Sequence, residues 1–290
     1  MTQASPWKNS TLSVVNVASV PQLSPFRYPG GKTWFVPHAL RWLSSLERRP
    51  HTFLEPFAGG ASVSCAVLSK GMADRVHLVE LDEDVVAVWQ TVFSEQASKL
   101  AECILEFILE REKVLDTLAQ PPKTPLERAF QTILRNRVQR GGILAPGAGL
   151  IKAGENGKGL SSRWYPETLA RRIQILSQWR EQVTVTHGDG LQTLEQNLER
   201  SDVATFLDPP YTAGGKGAGS RLYRHHTLEH DRLFEQATAL KGDFVMTYDP
   251  APEVLQRVGQ FGLCTRAIAM KNTHHTVQNE QVIGKNLDWL

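Results

Sequence analysis

The segment VATFLDPPY places an acidic residue, two prolines and a tyrosine directly after an apolar run, at Asp208, Pro209, Pro210 and Tyr211. The apolar run predicts a buried strand, and ligands of open α/β sheets bind where such strands end. Prolines lack a backbone N–H and hold the chain stiffly, so a carboxylate and a carbonyl can accept both hydrogens of one amino group. The alternative is an ordinary turn with a capping aspartate.

The exocyclic amine of adenine fits such a pair of acceptors. Its lone pair is delocalised into the ring, which makes the nitrogen a weak nucleophile. Two acceptors that hold its hydrogens favour the pyramidal geometry from which it attacks an electrophile, and the ring of Tyr211 can stack on the base. The segment therefore indicates group transfer to an amine, with Asp208, Pro209 and Tyr211 as catalytic candidates.

A glycine pair, Gly59 and Gly60, follows another predicted strand in the segment EPFAGGAS. Glycine permits a tight turn there and lets a ligand approach the backbone without interference from a Cβ atom. Glu80 ends the next predicted strand, where a carboxylate can accept hydrogen bonds from both ribose hydroxyls of a nucleoside cofactor. The pattern departs from G-x-G-x-x-G, so a tight turn that binds nothing is the alternative.

A sheet is needed to bring these residues together, and apolar runs alternate with helical segments along most of the chain. Ser62 and Gly71 bracket the first helix as N-cap and C-terminal stop, and Asp82 caps the next. The last two strands have no long helix between them, which predicts an antiparallel hairpin at one edge of a mostly parallel α/β sheet. The predicted strands lie at 51–57, 75–81, 183–189, 203–211, 243–248, 264–270 and 279–286.

The domain organisation follows from the same reading. Residues 1–24 predict a flexible N-terminal arm, and 25–93 with 181–290 predict the catalytic domain. Residues 94–180 predict a helical insertion, broken by PPKTP and by a glycine-rich stretch. Within it, residues 123–180 carry a surplus of eight positive charges, whereas the whole chain carries +2. A surface that contacts phosphates is one interpretation of this charge, and a solvated helix face is the other.

Composition excludes several classes of protein. The 290 residues include 32 basic and 30 acidic side chains, so the chain is not a histone-like polycation. Three distant cysteines do not form a disulfide framework, and the histidine pairs 225–226 and 274–275 lack further ligands at metal-binding spacing. Neither a secretory signal nor a run of about 18 apolar residues occurs. We therefore expect a cytoplasmic protein without a metal and without a membrane partner.

Eight segments occur in a characteristic order: FRYPGGK (26–32), EPFAGGAS (55–62), LVELDED (78–84), HGDG (187–190), DPPY (208–211), LYRH (222–225), DRLF (231–234) and NEQVIGKN (279–286). In this combination the chain resembles the Dam-type, alpha-class DNA adenine-N6 methyltransferases over about residues 26–286. The resemblance implies a Rossmann-like S-adenosylmethionine methyltransferase sheet with a helical target-recognition insertion. It also implies methyl transfer to the N6 amine of an adenine flipped out of double-stranded DNA.

The resemblance also implies roles for individual residues. Tyr28 and Lys32 would pack on the methionine end of the cofactor and pair with its carboxylate. Glu80 would bind the ribose, Asp189 would face the cofactor adenine, and Asp208 would lie between the cofactor and the target base. The further cofactor-binding candidates are Glu55, Phe57 and Gly59, and the DNA-binding candidates are Arg135, Arg137, Arg140 and Arg163.

Other functions remain open at this point. Methylation of a cytosine N4 amine or of adenine N6 in RNA is one alternative, and a nucleic-acid-binding module that lacks transfer activity is another. The sequence also leaves open the DNA sequence recognised, the oligomeric state, and whether a cognate restriction endonuclease acts separately on the same DNA.

Overall fold

A computed structural model describes most of the chain. Its described residues are 15–27, 30–145, 147–154, 157–210, 228–271 and 277–290.

Within that part of the chain, seven strands form one sheet in the order β3-β2-β1-β4-β5-β7-β6. The first five are parallel, and β7 runs antiparallel to both β5 and β6. The expected mostly parallel, Rossmann-like sheet with an antiparallel edge hairpin is therefore confirmed. The strands are β1 (Thr52–Glu55), β2 (Arg75–Glu80), β3 (Val183–His187), β4 (Val203–Leu207), β5 (Asp243–Tyr248), β6 (Cys264–Lys271) and β7 (Val277–Gly284).

Helices cover both faces of this sheet. None of those described is long and apolar enough to cross a membrane. They are α1 (Val36–Ser45), α2 (Ser62–Lys70), α3 (Glu83–Val92), α4 (Ala97–Glu106), α5 (Arg111–Ala119), α6 (Pro125–Val138), α7 (Pro166–Ser177), α8 (Gly190–Asn197), α9 (His230–Ala239) and α10 (Pro252–Gln260).

The ends of the helices follow the expected capping chemistry with one exception. Asp82 caps α3 by accepting a hydrogen bond from the amide of Asp84 at 2.9 Å, and Gly71 ends α2 with a left-handed φ of 58°. The prediction that Ser62 caps α2 is wrong by one residue. Ala61 occupies that position in the left-handed region, because the preceding glycine turn continues through it, and its side chain makes no capping bond.

Alternating strand residues enter two apolar cores. Phe53 and Phe206 belong to the core that also receives α1–α7, whereas Leu54 and Leu207 belong to the core that receives α8–α10. Helices of the segment 94–180 therefore share a core with the sheet. Their role as a separate recognition unit stays a prediction.

Candidate functional site

The candidate site lies between β1 and β4, where the strand order of the sheet reverses its direction. β1 pairs with β2 on one side and with β4 on the other, so the chain leaves β1 and β4 towards opposite halves of the sheet. Ligands of open α/β sheets bind in the crevice outside the carboxyl ends of strands at such a point. The segments that follow β1 and β4, residues 56–61 and 208–210, leave two neighbouring parallel strands at the same edge of the sheet, where such a crevice is expected.

The turn after β1 is fixed by its neighbours. Gly59 has a φ of 44°, in the region that favours glycine. The amide of Ala58 donates to the carbonyl of Val79 at 3.0 Å, and the indole N–H of buried Trp89 donates to the carbonyl of Gly59 at 2.8 Å. Strand β2 and helix α3 therefore hold the glycine turn in place.

The carboxylate of Glu80 joins this turn to the loop after β2. Its Oε2 accepts the amide of Gly59 at 2.8 Å, and its Oε1 accepts the amides of Leu81 and Asp82 at 2.8 and 2.9 Å. Burial raises the pKa of Glu80, while the amide hydrogen bonds act in the opposite direction. A carboxylate fixed at the end of β2 beside a glycine turn suits the two hydroxyls of a ribose, so the residues present fit a nucleoside cofactor.

The loop after β3 closes against the other two loops. The amide of Gly188 donates to the carbonyl of Glu80 at 3.0 Å. Gly190 lies so close to the loop after β1 that an added Cβ would be 2.4 Å from the carbonyl oxygen of Pro56 and 2.9 Å from the ring of Phe57. Asp189 caps α8, since its Oδ1 accepts the amide of Leu191 at 2.7 Å. One oxygen of Asp189 thus has a structural role as the cap of α8, and a contact of Asp189 with a cofactor stays a prediction.

Beyond the end of β4, Asp208 contacts Lys32. Lys32 is 4% exposed, and its Nζ lies 2.9 Å from Asp208 Oδ1 and 3.6 Å from Glu280 Oε2. The same ammonium donates to the carbonyl of Gly30 at 2.9 Å, and the hydroxyl of Thr247 donates to Asp208 Oδ1 at 2.9 Å. The structure therefore shows Lys32 paired with two carboxylates, whereas its pairing with a cofactor carboxylate stays a prediction.

Glu55, the last residue of β1, adds a third carboxyl group to this side of the site. Its Oε2 accepts hydrogen bonds from the amide and the hydroxyl of Ser64. Burial, aided by the negative charge of Asp208 and opposed by the Ser64 hydrogen bonds and Lys32, raises the pKa of Glu55 to about 8. Glu55 is therefore predominantly protonated at pH 7.

The sequence analysis did not predict the contact of Asp208 with Thr247 or the contact of Lys32 with Glu280. Thr247 interrupts the apolar strand DFVMTY, and Glu280 is a charged residue in a strand that continues into Val282 and Ile283. Charged residues are rarely buried unless they are paired. A polar residue inside a buried strand was therefore the signal that could have pointed to Thr247 and Glu280.

The structure describes only some of the remaining cofactor-binding and catalytic candidates. Pro209 is buried directly after Asp208, and Phe57 is half-buried against Gly190. Tyr28 and Tyr211 lie outside the described residues, as do the segment LYRH and both histidine pairs. Among the residues that the structure does describe, no group of three or more histidine, cysteine or acidic side chains could hold a metal ion.

Two of the arginines expected to contact DNA have protein partners. Arg135 lies 3.3 Å from Asp84 Oδ2, which ties α6 to the first turn of α3. Arg137 is 6% exposed and donates a hydrogen bond to the carbonyl of Pro25. Burial is the main cause that lowers the pKa of Arg137, to about 9. A phosphate contact requires a guanidinium group that solvent can reach, whereas the side chain of Arg137 is buried.

The other two arginines are more accessible. Arg140 is exposed after α6, and Arg163 is half-buried at the end of the short helix Gly159–Arg163. The positive charge of Arg163 contributes to the lowered pKa values of Arg27 and Arg137, so these guanidinium groups lie near one another. A concentration of positive charge at this place is what an anionic ligand would neutralise.

Comparison with known proteins adds only distant likenesses. No protein-family model matches the sequence, and no curated protein matches it either. Among solved structures, a protein proposed to be an RNA methyltransferase from Pyrococcus horikoshii is 12% identical with a TM-score of 0.42, covering 92% of each chain. An rRNA methyltransferase from Streptomyces viridochromogenes is 12% identical with a TM-score of 0.39, covering 88% of this chain and 85% of that one. A precorrin-6y C5,15-methyltransferase from Geobacter metallireducens is 10% identical with a TM-score of 0.34, covering 85% of each chain. The case for a function therefore rests on the residues of the site.

Proposed function

We propose that this protein transfers a methyl group from S-adenosylmethionine to the N6 amine of an adenine in double-stranded DNA. One observation carries the proposal: Asp208 directly follows β4, while Glu80, the last residue of β2, accepts the amide of Gly59 in the loop after β1. A carboxylate suited to an amine and a carboxylate suited to a ribose thus flank one ligand-binding edge of the sheet. The resemblance to the Dam-type family supports the same assignment.

The cofactor would be held by residues of the first three strand ends. Glu80 would accept the ribose hydroxyls, the turn at Gly59 would lie against the cofactor backbone, and Asp189 and Phe57 would border its adenine. When bound, S-adenosylmethionine supplies a methyl group on a positively charged sulfur, which leaves with the electrons of the broken carbon–sulfur bond. The hydrogen bonds that link the three loops in the structure mean that these residues need little rearrangement to bind it.

Asp208 and the carbonyl of Pro209 would accept the two hydrogens of the target amine. Their pull exposes the nitrogen lone pair, which forms the new bond to the methyl carbon. The nitrogen becomes positively charged as this bond forms, and the carboxylate stabilises that charge more strongly than it stabilises the neutral amine. The extra proton then leaves the nitrogen, through Asp208 to solvent, and the methylated amine is neutral again.

The charges around Asp208 favour this sequence of events. Among the described residues, Asp208 and Glu280 are the two carboxylates that face the ammonium of Lys32, while burial favours the neutral form of Glu55. Within the described part of the chain, the cluster thus sets two carboxylates and one ammonium next to the proposed position of the reacting nitrogen. Such fixed charge stabilises a developing cation without reorganisation during the reaction.

The helical segment 94–180 would bind the nucleic acid. Its surplus of positive charge suits the phosphate backbone, and Arg140 and Arg163 are the accessible members of the expected set. Because the N6 amine is paired inside the duplex, the adenine has to be rotated out of the stack to reach Asp208. Tyr211, next to Pro210 in sequence, is the candidate platform for the extruded base.

The test is a product analysis with a matched pair of variants. The purified protein is incubated with methyl-labelled S-adenosylmethionine and, separately, with duplex DNA, single-stranded DNA and RNA, and the digested nucleosides are identified by mass spectrometry. We expect N6-methyladenine from duplex DNA. Label in RNA alone, in cytosine, or in no nucleic acid would overturn the proposal in favour of the corresponding alternative.

The variant Asp208→Asn keeps the shape of the side chain and an acceptor for Thr247 but loses the negative charge. We expect single-turnover methylation to fall by about 10² to 10³, the usual effect of removing one preorganised group, while DNA affinity changes little. Asp202→Asn is the matched control, since Asp202 precedes the amino end of the same strand and is exposed. Equal rates for the two variants would remove Asp208 from the reaction.

A further inference from the structure

Glu280 is a buried carboxylate in the antiparallel hairpin, within the segment NEQVIGKN but not among the expected site residues. It lies on β7 opposite Ile268 of β6, and it is 3% exposed. A buried charge is costly unless it is paired, and Lys32 is one partner of Glu280 in the described part of the chain. Its Oε2 lies 3.6 Å from Lys32 Nζ, at the distance of an ion pair and beyond that of a strong hydrogen bond.

Lys32 is the link between this carboxylate and the reacting group. An ammonium has three hydrogens to donate, and among the described residues Lys32 faces three acceptors: the carbonyl of Gly30, Asp208 and Glu280. Two of the contacts are 2.9 Å long and the third is 3.6 Å. The lysine charge is therefore shared between two carboxylates and is held at a defined place beside Asp208.

This sharing bears on how strongly Asp208 can act. A buried ammonium paired with Asp208 alone would neutralise the carboxylate and weaken it as an acceptor for an amine that gains positive charge. A second carboxylate on the same ammonium offsets part of that attraction. Thr247 donates to the oxygen of Asp208 that Lys32 contacts, so the orientation of the carboxylate is set by the same contacts.

We propose that Glu280 is a positioning residue for amine methylation, which acts on Asp208 through Lys32. The inference rests on the proposed function and assigns to the edge hairpin a part in the reaction. A purely structural Glu280 would only hold the segment before α1 against the sheet. The two roles differ in what they predict for the chemical step when the fold and the binding of ligands are intact.

The test replaces Glu280 by glutamine, which keeps the size of the side chain and an acceptor oxygen but removes the charge. We expect the melting temperature to change by only a few degrees and the calorimetric dissociation constants for S-adenosylmethionine and DNA to stay within about threefold. We expect the single-turnover rate of methylation to fall on the order of tenfold, less than for a group that touches the amine directly. Gln281→Leu is the matched control, because Gln281 is the next residue of β7, is also buried, and bonds to Thr265 at 2.9 Å instead.

A double-mutant cycle separates action through Asp208 from an independent effect. In an Asp208→Asn background, Glu280→Gln should change the remaining rate by less than about twofold, because the group on which it acts has lost its charge. A wild-type rate for Glu280→Gln, or a tenfold loss that multiplies with the Asp208 substitution, would overturn the inference. If Glu280→Gln does not fold, Glu280→Asp retains the charge at a greater distance from Lys32. We expect that variant to give an intermediate rate, and a wild-type rate for it would count equally against the inference.

Failure of the proposed function gives a different result. Wild-type protein that transfers no methyl group to DNA overturns both proposals, whereas active wild-type protein with an equally active Glu280→Gln variant overturns only this one.

Discussion

The side chain of Asn136 holds both backbone polar groups of Arg27, which is 109 residues away in sequence. Its Oδ1 accepts the amide of Arg27 at 2.8 Å, and its Nδ2 donates to the carbonyl of Arg27 at 3.0 Å and to that of Gly142 at 2.7 Å. The segment that leads to Lys32 is therefore fixed to the last turn of α6. A residue of the helical segment thus holds the chain five residues before Lys32.

Replacing Asn136 by alanine should destabilise the protein. The side chain is 1% exposed, and its loss leaves the amide of Arg27 and two carbonyl groups without their partner in a buried place. We expect the free energy of unfolding to fall by about 2 to 4 kcal/mol, from the cost of unsatisfied buried groups. Urea denaturation measures it, with Gln174→Ala on the exposed face of α7 as the control. A loss below about 0.5 kcal/mol, the usual range for surface substitutions, would show that the contact does not anchor the segment.

Glu80→Ala should weaken cofactor binding more than folding. The substitution removes a charged acceptor proposed for the ribose and releases the amide of Gly59 that shapes the turn. We expect the affinity for S-adenosylmethionine to fall by about 1 to 3 kcal/mol, measured by calorimetry. Glu83→Ala is the matched control, because Glu83 follows in the next helix and pairs with Arg128 at 2.9 Å. Unchanged affinity in a folded Glu80→Ala protein would place the cofactor elsewhere.

The accessible arginines should govern the salt dependence of DNA binding. Arg140→Gln and Arg163→Gln should each lower affinity for all DNA sequences and reduce the slope of log K against log salt by about 1, if each contacts one phosphate. Arg111→Gln, at an exposed position of α5, should change neither the affinity for DNA nor the slope of the salt dependence. Buried Arg137 should instead affect stability when it is replaced, because its guanidinium group donates to the carbonyl of Pro25. Identical slopes for all the variants and the wild-type protein would leave the basic surface with no part in binding.

Glu55 should make stability depend on pH in a defined direction. Its pKa is raised from 4.5 to about 8 in the folded protein, so the folded state keeps a proton that the unfolded chain loses. The stabilisation is complete below about pH 4.5 and is lost as the pH rises through 8. Glu55→Gln keeps a neutral side chain at every pH, so its stability relative to the wild type should increase between these limits. Parallel pH profiles from thermal denaturation would contradict the raised pKa.

The sheet was predictable because strand periodicity and the alternation with helices are local signals. The order of motifs placed Asp208 and Glu80 at strand ends, where the structure has them. Contacts that join distant segments have no such signal: the hydrogen bonds of Asn136 to Arg27, and the pairing of Lys32 with Glu280, depend on tertiary packing. Charge alone also failed to distinguish exposed Arg140 from buried Arg137, which are three residues apart on either side of the helix end.

The contact between Lys32 and Glu280 joins the segment before the first helix to the last strand of the sheet, across 248 positions of sequence. During synthesis, the ribosome releases the lysine long before it releases the glutamate, so the cluster around Asp208 is incomplete while most of the chain has already emerged. Contacts of such large sequence separation form late, because a long loop has to close before they contribute. A nascent chain that has folded its parallel strands would thus have the crevice proposed for the cofactor without the contact between Lys32 and Glu280, and competence for the proposed reaction would arrive with the final hairpin.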